Sequence, residues 1–273
     1  MSYRGLRVLA LESRRAAEIA KLIQNNGGVP TVAPALREVP VEDNTEAFAF
    51  AERLGAGEFD MMIFLTGVGA RALDNVIATR FGEGYLQAEL KKLTVVARGP
   101  KPVAVLREWG VPVHIAVPEP NTWRELLVAI DGRSERRIAV QEYGKPNQEL
   151  YRALEEGGAS VSAVRVYQWA MPLDLEPLRN AMHGIIAGAF DVLVITTGVQ
   201  ATHLMDLARQ DGLEKQLLAA LARLVVASIG PTASETIAEN GFKPDMIPSH
   251  PKMGFLIKEA GEQAHQILNS KSS

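Results

Sequence analysis

Short apolar runs separated by helical periodicity predict an α/β protein made of two similar halves. Two observations carry that expectation: each strand-like run precedes a helical segment, and the chain contains a long internal repeat. Composition supports it, because 47% hydrophobic and 22% charged residues over 273 positions supply the apolar material for a buried core and argue against global disorder. At ordinary domain sizes this length suits about one large domain or two small ones.

The elements follow in order. Residues 7–11 (Arg-Val-Leu-Ala-Leu) form an apolar run of buried parallel-strand type. A helix over 15–25 places Ala16, Ile19, Ala20, Leu22 and Ile23 at helical spacing, and Asn26-Gly27-Gly28 is a C-cap signal. A second strand covers 30–33. Further runs at 61–65, 93–97, 138–140, 192–196 and 224–227 each lead into a helical segment. This βαβα order implies parallel sheets covered by helices.

The repeat sharpens the picture. Residues 59–73 and 190–204 share 7 identities in 15 positions, and Phe190 stands 131 residues after Phe59. At the same spacing Gly99-Pro100 falls on Gly230-Pro231, and Glu108-x-Gly110 on Glu239-x-Gly241. The segment 8–36 lies over 139–167, mostly by hydrophobic shape, with Glu18/Glu149 and Gly27/Gly158 among the few identities. A constant spacing over three units without a gap predicts a duplicated α/β half rather than a solenoid. The boundary is open at this point. A cut in the polar stretch 131–137 gives sequential halves. Alternatively the stretches from Leu36 and from Tyr167, again 131 residues apart and each holding a proline, pair as a hinge, and one domain is then built from both chain ends.

Several chemistries are excluded by composition. No cysteine is present, which removes disulfides, iron–sulfur clusters, thiolate catalysis and cysteine zinc sites. The five histidines lack metal-ligand spacing, so they are read as surface or capping residues and no metal is expected. A net charge of -3 argues against a nucleic-acid partner held by bulk charge. No apolar stretch reaches 18 residues, so no membrane span is expected. The first apolar run is too short for a signal-peptide core and Glu12 follows it, so the expected location is cytoplasmic. The end, 269–273, reads as frayed. There is no Walker A run, no GxSxG elbow and no complete dinucleotide fingerprint.

Ligands of parallel α/β sheets bind beyond the carboxyl ends of the strands. Two matched turns there carry Thr66-Gly67 and Thr197-Gly198. Glycine permits close backbone approach, and a helix N-terminus offers N–H groups to an anion. Taken singly, each threonine is read first as a helix cap; the duplication favours a ligand site. A second pair is Arg98-Gly99-Pro100-Lys101-Pro102 with Gly230-Pro231-Thr232-Ala233-Ser234. A third sets Ser13-Arg14-Arg15 beside Tyr143-Gly144-Lys145. Arg14, Arg15, Arg98, Lys101 and Lys145 thus stand at strand ends, either as a cradle for a polyanion or as solvated surface charges. Tyr167 would lie on the hinge facing a cleft and donate a proton or hydrogen bond, or else be an amphipathic linker residue.

The ordered set of turns resembles the uroporphyrinogen-III synthase family. The stretches that carry the resemblance are 191–198 (Asp-Val-Leu-Val-Ile-Thr-Thr-Gly), 229–233 (Ile-Gly-Pro-Thr-Ala), Val166-Tyr167 with Pro172 after it, and the helix over 150–158 ending in Gly-Gly. The resemblance runs from Leu6 to Ala264. It implies two similar α/β domains, each a parallel sheet flanked by helices, joined by a two-stranded extended linker. The boundaries become 1–36 with 174–273, 43–166, and linker strands 37–42 and 167–173. It implies no metal and no organic cofactor, and as substrate the linear tetrapyrrole hydroxymethylbilane with its eight carboxylates. The reaction expels the hydroxyl, inverts the last pyrrole ring through a spiro intermediate and closes the macrocycle. The expected protein is a monomeric cyclising lyase of haem biosynthesis with Tyr167 hydrogen-bonded to the departing hydroxyl. Pro102 and Ala233 depart from the family's threonine positions; Thr232 and Ser234 stand beside them. The Arg98–Pro102 form implies a branch with more cationic contact. The rival expectation is a non-catalytic two-domain binding or regulatory protein that closes on an anionic small molecule; no added DNA-binding segment favours a regulator.

Overall fold

The computed structural model describes residues 2–40, 43–142 and 146–271. Two compact units divide the chain, Met1–Arg37 with Ala170–Ser273, and Glu38–Trp169. The first unit has a parallel sheet of β1 (Arg7–Ala10), β2 (Val29–Val32), β10 (Val192–Ile195) and β11 (Val225–Ser228) in the order β11-β10-β1-β2. The second has β4 (Met61–Phe64), β5 (Thr94–Ala97), β6 (Ile115–Ala116), β7 (Arg137–Gln141) and β8 (Ser160–Val164) in the order β6-β5-β4-β7-β8, also parallel. A separate two-stranded sheet pairs β3 (Arg37–Pro40) with β9 (Tyr167–Ala170). No described helix is long and apolar enough to cross a membrane.

The apolar runs form strands because both sheet faces are covered. All residues of β4, β10 and β11 are buried, as expected of strands sandwiched between helices. Alternate side chains enter opposite layers. In the first unit Leu9, Leu193, Ile195 and Val226 pack on one side with residues of α8 (Glu176–Ile186), α9 (Gly198–Gln210), α10 (Glu214–Leu221) and α11 (Pro231–Glu239). Val8, Ala10, Val192, Val194 and Val225 face α1 (Ala16–Asn25) and α12 (Met253–Lys271). In the second unit Met62, Phe64 and Val95 join α2 (Thr45–Gly55), α3 (Gly67–Phe81), α4 (Tyr85–Leu90) and α5 (Pro100–Glu108). Met61, Ile63, Ile138 and Val140 meet α6 (Trp123–Ile130) and α7 (Gln148–Glu156) on the other side.

The duplication is visible bond by bond, with one correction. Met61 pairs with Thr94 and Val192 with Val225, which preserves the spacing of 131. Even the short edge repeats: Val96 pairs with Ile115, and Ala227 makes an isolated bridge to Met246. The innermost pair departs from it. The Asp60 N–H donates to the carbonyl of Arg137 (2.8 Å), and the Asp191 N–H to that of Arg7 (2.9 Å). Asp60 accepts from Nε of Arg137 at 3.2 Å, and Asp191 from a guanidinium nitrogen of Arg7 at 2.6 Å. Arg7 is therefore the counterpart of Arg137, not of Ile138, and the repeat is one residue closer there. By β2 and β8 the longer spacing has returned, because Arg7 pairs with Val29 and Arg137 with Ser160. The buried pairs Ile19, Ile23 and Leu150, Leu154 of the intervening helices already obey it. The gapless repeat thus fails in the turn after β7, which is one residue longer than the turn after β1. The Arg–Asp pair fits only the shorter spacing, which also keeps Ala10 off the polar Gln141.

Candidate functional site

In the second unit the chain leaves β4 through Thr66, whose extended backbone makes it the N-cap of α3; its Oγ1 accepts the Gly69 N–H at 3.0 Å. Such a cap satisfies one of the unpaired first-turn donors. The Thr66 hydroxyl also lies 3.1 Å from the Tyr167 hydroxyl. Tyr167 opens β9, but its ring is part of the second unit's core and only 4% exposed. It is therefore a core residue of this unit rather than a half-buried, amphipathic linker residue. Gly67 is buried where a Cβ would come within 2.9 Å of the Lys101 carbonyl oxygen, so the β4–α3 and β5–α5 turns touch through a glycine. Gly99 caps α5 with φ 96°, a region that favours glycine, and a Cβ there would meet the Asn121 amide at 2.9 Å. Arg98 is half-buried and Lys101 exposed. Lys145 lies outside the described residues.

The first unit repeats the plan. Thr197 caps α9 in a capping box with Gln200. Gly198 is buried, and a Cβ there would fall 2.5 Å from Cβ of Thr236 on α11. Gly230 caps α11 in an extended conformation that any residue adopts, and a Cβ there meets nothing nearer than Pro251 at 3.4 Å. Thr232 is the second residue of α11 and half-buried. Ser234 turns inward, donating to the Gly230 carbonyl at 2.9 Å, so it does not extend the turn's outer surface. Pro102 and Ala233 are both buried; the positions that depart from the family's threonines point into the core. Arg14 is exposed. Arg15 is engaged by Glu18 (Nε to Oε2, 2.6 Å), which raises its pKa through that hydrogen bond. Both side chains are about half exposed (53% and 50%), so this pair is weak and open to exchange for another anion.

Four polar residues went unread in the sequence. Glu12 follows β1, accepts the Arg15 N–H at 3.2 Å and receives the Thr196 hydroxyl. Its counterpart at the corrected spacing, Glu142, is 5% exposed and accepts the Tyr151 hydroxyl at 2.7 Å. Burial, and then Glu142, push the Tyr151 phenol well above its ordinary range. Gln200 and Gln141 are fully buried, at 1% and 0% exposed, and both bind threonine N–H groups: Thr197 to Gln200 at 3.3 Å and Thr66 to Gln141 at 3.2 Å. The Thr-x-x-Gln spacing at 197–200 is a legible capping signal. Gln141 has no such signal, because its counterpart Leu11 is apolar. Among the described residues no group of three or more acidic or histidine side chains is placed to hold a metal.

A depression of about 580 Å³ lies at the opposite, amino end of the second unit's sheet, lined by Asp60, Glu89, Lys91, Lys92, His114 and Arg137 among others. Its Arg137 and Lys92 are paired with Asp60 and Glu89. The strand-end turns, with helix N-termini and close-approach glycines, make the better candidate.

Fold and turns together define a duplicated α/β protein with matched Thr-Gly helix starts at the carboxyl ends of two parallel sheets. Comparison with known proteins is specific. A family model described as uroporphyrinogen-III synthase HemD matches residues 17–258. A protein of Methanothermobacter thermautotrophicus named "Putative uroporphyrinogen-III synthase" is 30% identical over 229 residues, 83% of this chain and 86% of that protein. The uncharacterized protein YjjA of Bacillus subtilis is 28% identical over 265 residues, 93% of this chain and 94% of its own length. The crystal structure of a mutant uroporphyrinogen III synthase from Thermus thermophilus superposes with a TM-score of 0.71 at 26% identity, covering 96% of this chain and 100% of that one. The chain belongs to the uroporphyrinogen-III synthase family.

Proposed function

We propose that this protein is a uroporphyrinogen-III synthase: it cyclises hydroxymethylbilane with inversion of the last pyrrole ring. The observation that supports the reading best is the duplicated turn of a family member, in which Thr66-Gly67 and Thr197-Gly198 begin α3 and α9 at strand carboxyl ends. N–H groups there suit carboxylates. The substrate's own pyrroles supply the electrons, so the protein's part is positioning and electrostatics. Arg14, Arg15, Arg98, Lys101, Gly99, Gly230, Thr232 and Lys145 are assigned to carboxylate binding in this reading, and the β3–β9 ribbon to the linker.

Tyr167 is assigned to the departing hydroxyl. Thr66 Oγ1 accepts the Gly69 N–H and stands 3.1 Å from the Tyr167 oxygen, close enough for either hydroxyl to donate to the other. In this reading the phenol hydrogen-bonds the hydroxyl that the substrate loses, and that hydroxyl departs as water. Incubation with enzymatically generated hydroxymethylbilane, followed by oxidation and separation of the uroporphyrin isomers, tests the reading. Isomer III is expected in excess; isomer I alone overturns it.

A further inference from the structure

The two matched turns use one device taken from different elements. In the first unit Gln200, the third residue of α9, folds its amide back on the turn. Its Oε1 accepts the N–H groups of Thr196 at 2.8 Å and Thr197 at 3.3 Å, and its Nε2 donates to Thr196 Oγ1 at 2.9 Å. The matching position in the second unit is Gly69. There the amide comes from the end of β7 instead: Gln141 Oε1 accepts the Thr66 N–H at 3.2 Å while Nε2 donates to the Glu142 carbonyl. The matching strand position in the first unit is Leu11, fully buried and apolar. A Cβ on Gly69 would stand 1.9 Å from Gln141 Nε2 and 2.6 Å from its Oε1. One space is thus filled by a primary amide in both units, from the helix in one and from the strand in the other. Packing alone does not select an amide there, since a buried amide is costly unless it is bonded.

We propose that Gln141 and Gln200 are positioning residues for the two turns. By occupying the threonine N–H groups they fix the turn, and they leave the first helical N–H groups, those of Gly67 and Val68 and of Gly198 and Val199, as the donors for ligand carboxylates. Gln141 in addition holds Thr66 where its hydroxyl meets Tyr167. The kinetic part of this inference rests on the synthase reading; the structural part does not.

Three variants of the full chain test it: Gln141→Leu, Gly69→Gln, and the double variant, which rebuilds the Leu11/Gln200 arrangement in the second unit. Amide hydrogen exchange at Thr66, followed by NMR, reads the bond directly. Exchange at Thr66 is expected to rise about tenfold or more in Gln141→Leu and to return close to the parent rate in the double variant. The rate constant for isomer III formation is expected to fall and recover in parallel. Should Gln141→Leu fail to fold, recovery of the fold by adding Gly69→Gln is the same rescue. An unchanged Thr66 exchange rate in Gln141→Leu overturns the inference, as does a double variant no better than Gln141→Leu. A parent protein that makes only isomer I overturns the synthase reading alone, because the exchange rates still decide the role of Gln141.

Discussion

Replacing Tyr167 by Phe separates a catalytic role from a structural one. The ring is 4% exposed and its apolar contacts survive the change, so the variant loses only the hydroxyl. That hydroxyl makes a 3.1 Å bond to Thr66 Oγ1. Thr66 keeps its bond from the Gly69 N–H at 3.0 Å, so its oxygen is not stranded. A net hydrogen bond of this kind is worth about 0.5–1.5 kcal/mol, which for a chain of this size moves the melting temperature by only about 1–6 °C. Loss of a proton donor to the leaving group costs about 10²–10⁴-fold in rate, or about 2.7–5.5 kcal/mol of barrier. The barrier effect therefore exceeds the stability effect by at least about 1 kcal/mol. Thermal unfolding and the isomer III rate constant, measured on the same preparation, compare the two. A Tyr167→Phe protein with turnover within about threefold of the parent removes Tyr167 from the mechanism. A melting temperature lowered by more than about 10 °C refutes the packing argument.

Further outcomes follow from the same geometry. Gly198→Ala places a methyl 2.5 Å from the β-branched Thr236 and is expected to cost about 1–3 kcal/mol in chemical denaturation, whereas Gly230→Ala, with extended φ and 3.4 Å of clearance, is expected to be near neutral; equal effects would remove the steric argument. Asp60 is held at about 2 by its hydrogen bond to Arg137, and Glu135 at about 2 by that to Arg133. Since both folded-state values lie below the unfolded ones, their stabilisation is full above about pH 5 and is lost as pH falls toward 2. Asp60→Asn is expected to flatten that part of a melting-temperature profile between pH 5 and 2, and an unchanged slope contradicts the assignment. Arg15→Gln removes a cation already engaged by Glu18 at the surface, so its stability change is expected to stay within about 0.5 kcal/mol, with a larger loss counting against a weak pair.

The parallel sheets were legible because β4, β10 and β11 are buried on both faces and so read as unbroken apolar runs. β8 was harder, since only Val164 of Ser160–Val164 is buried and the rest of this edge strand is exposed or half-buried. The extra residue after β7 was missed because the longer spacing fits the neighbouring segments, although it lays Ala10 and Leu11 over the polar Gln141 and Glu142. The charged residues beside those runs hold the register, because Arg7 and Arg137 each bind the aspartate that opens the neighbouring strand. The Thr-Gly turns were visible as a repeat. What completes them was not, because the Tyr167–Thr66 contact joins residues 101 apart in the chain and the Gln141 amide has no repeat partner at its own position.

One consequence concerns the order in which the protein is made. β1 lies between β2 and β10 in its sheet, and β10 begins at Val192. β1 and β2 thus lack β10 while the whole of Glu38–Trp169 is being synthesised. At about 5–20 residues per second that interval is on the order of ten seconds, ample for the contiguous unit to fold. During it the apolar faces of β1, α1 and β2 remain uncovered by their later partners. A chaperone that holds short apolar segments would find its substrate there, and slow codons placed between β2 and β10 would lengthen the exposure.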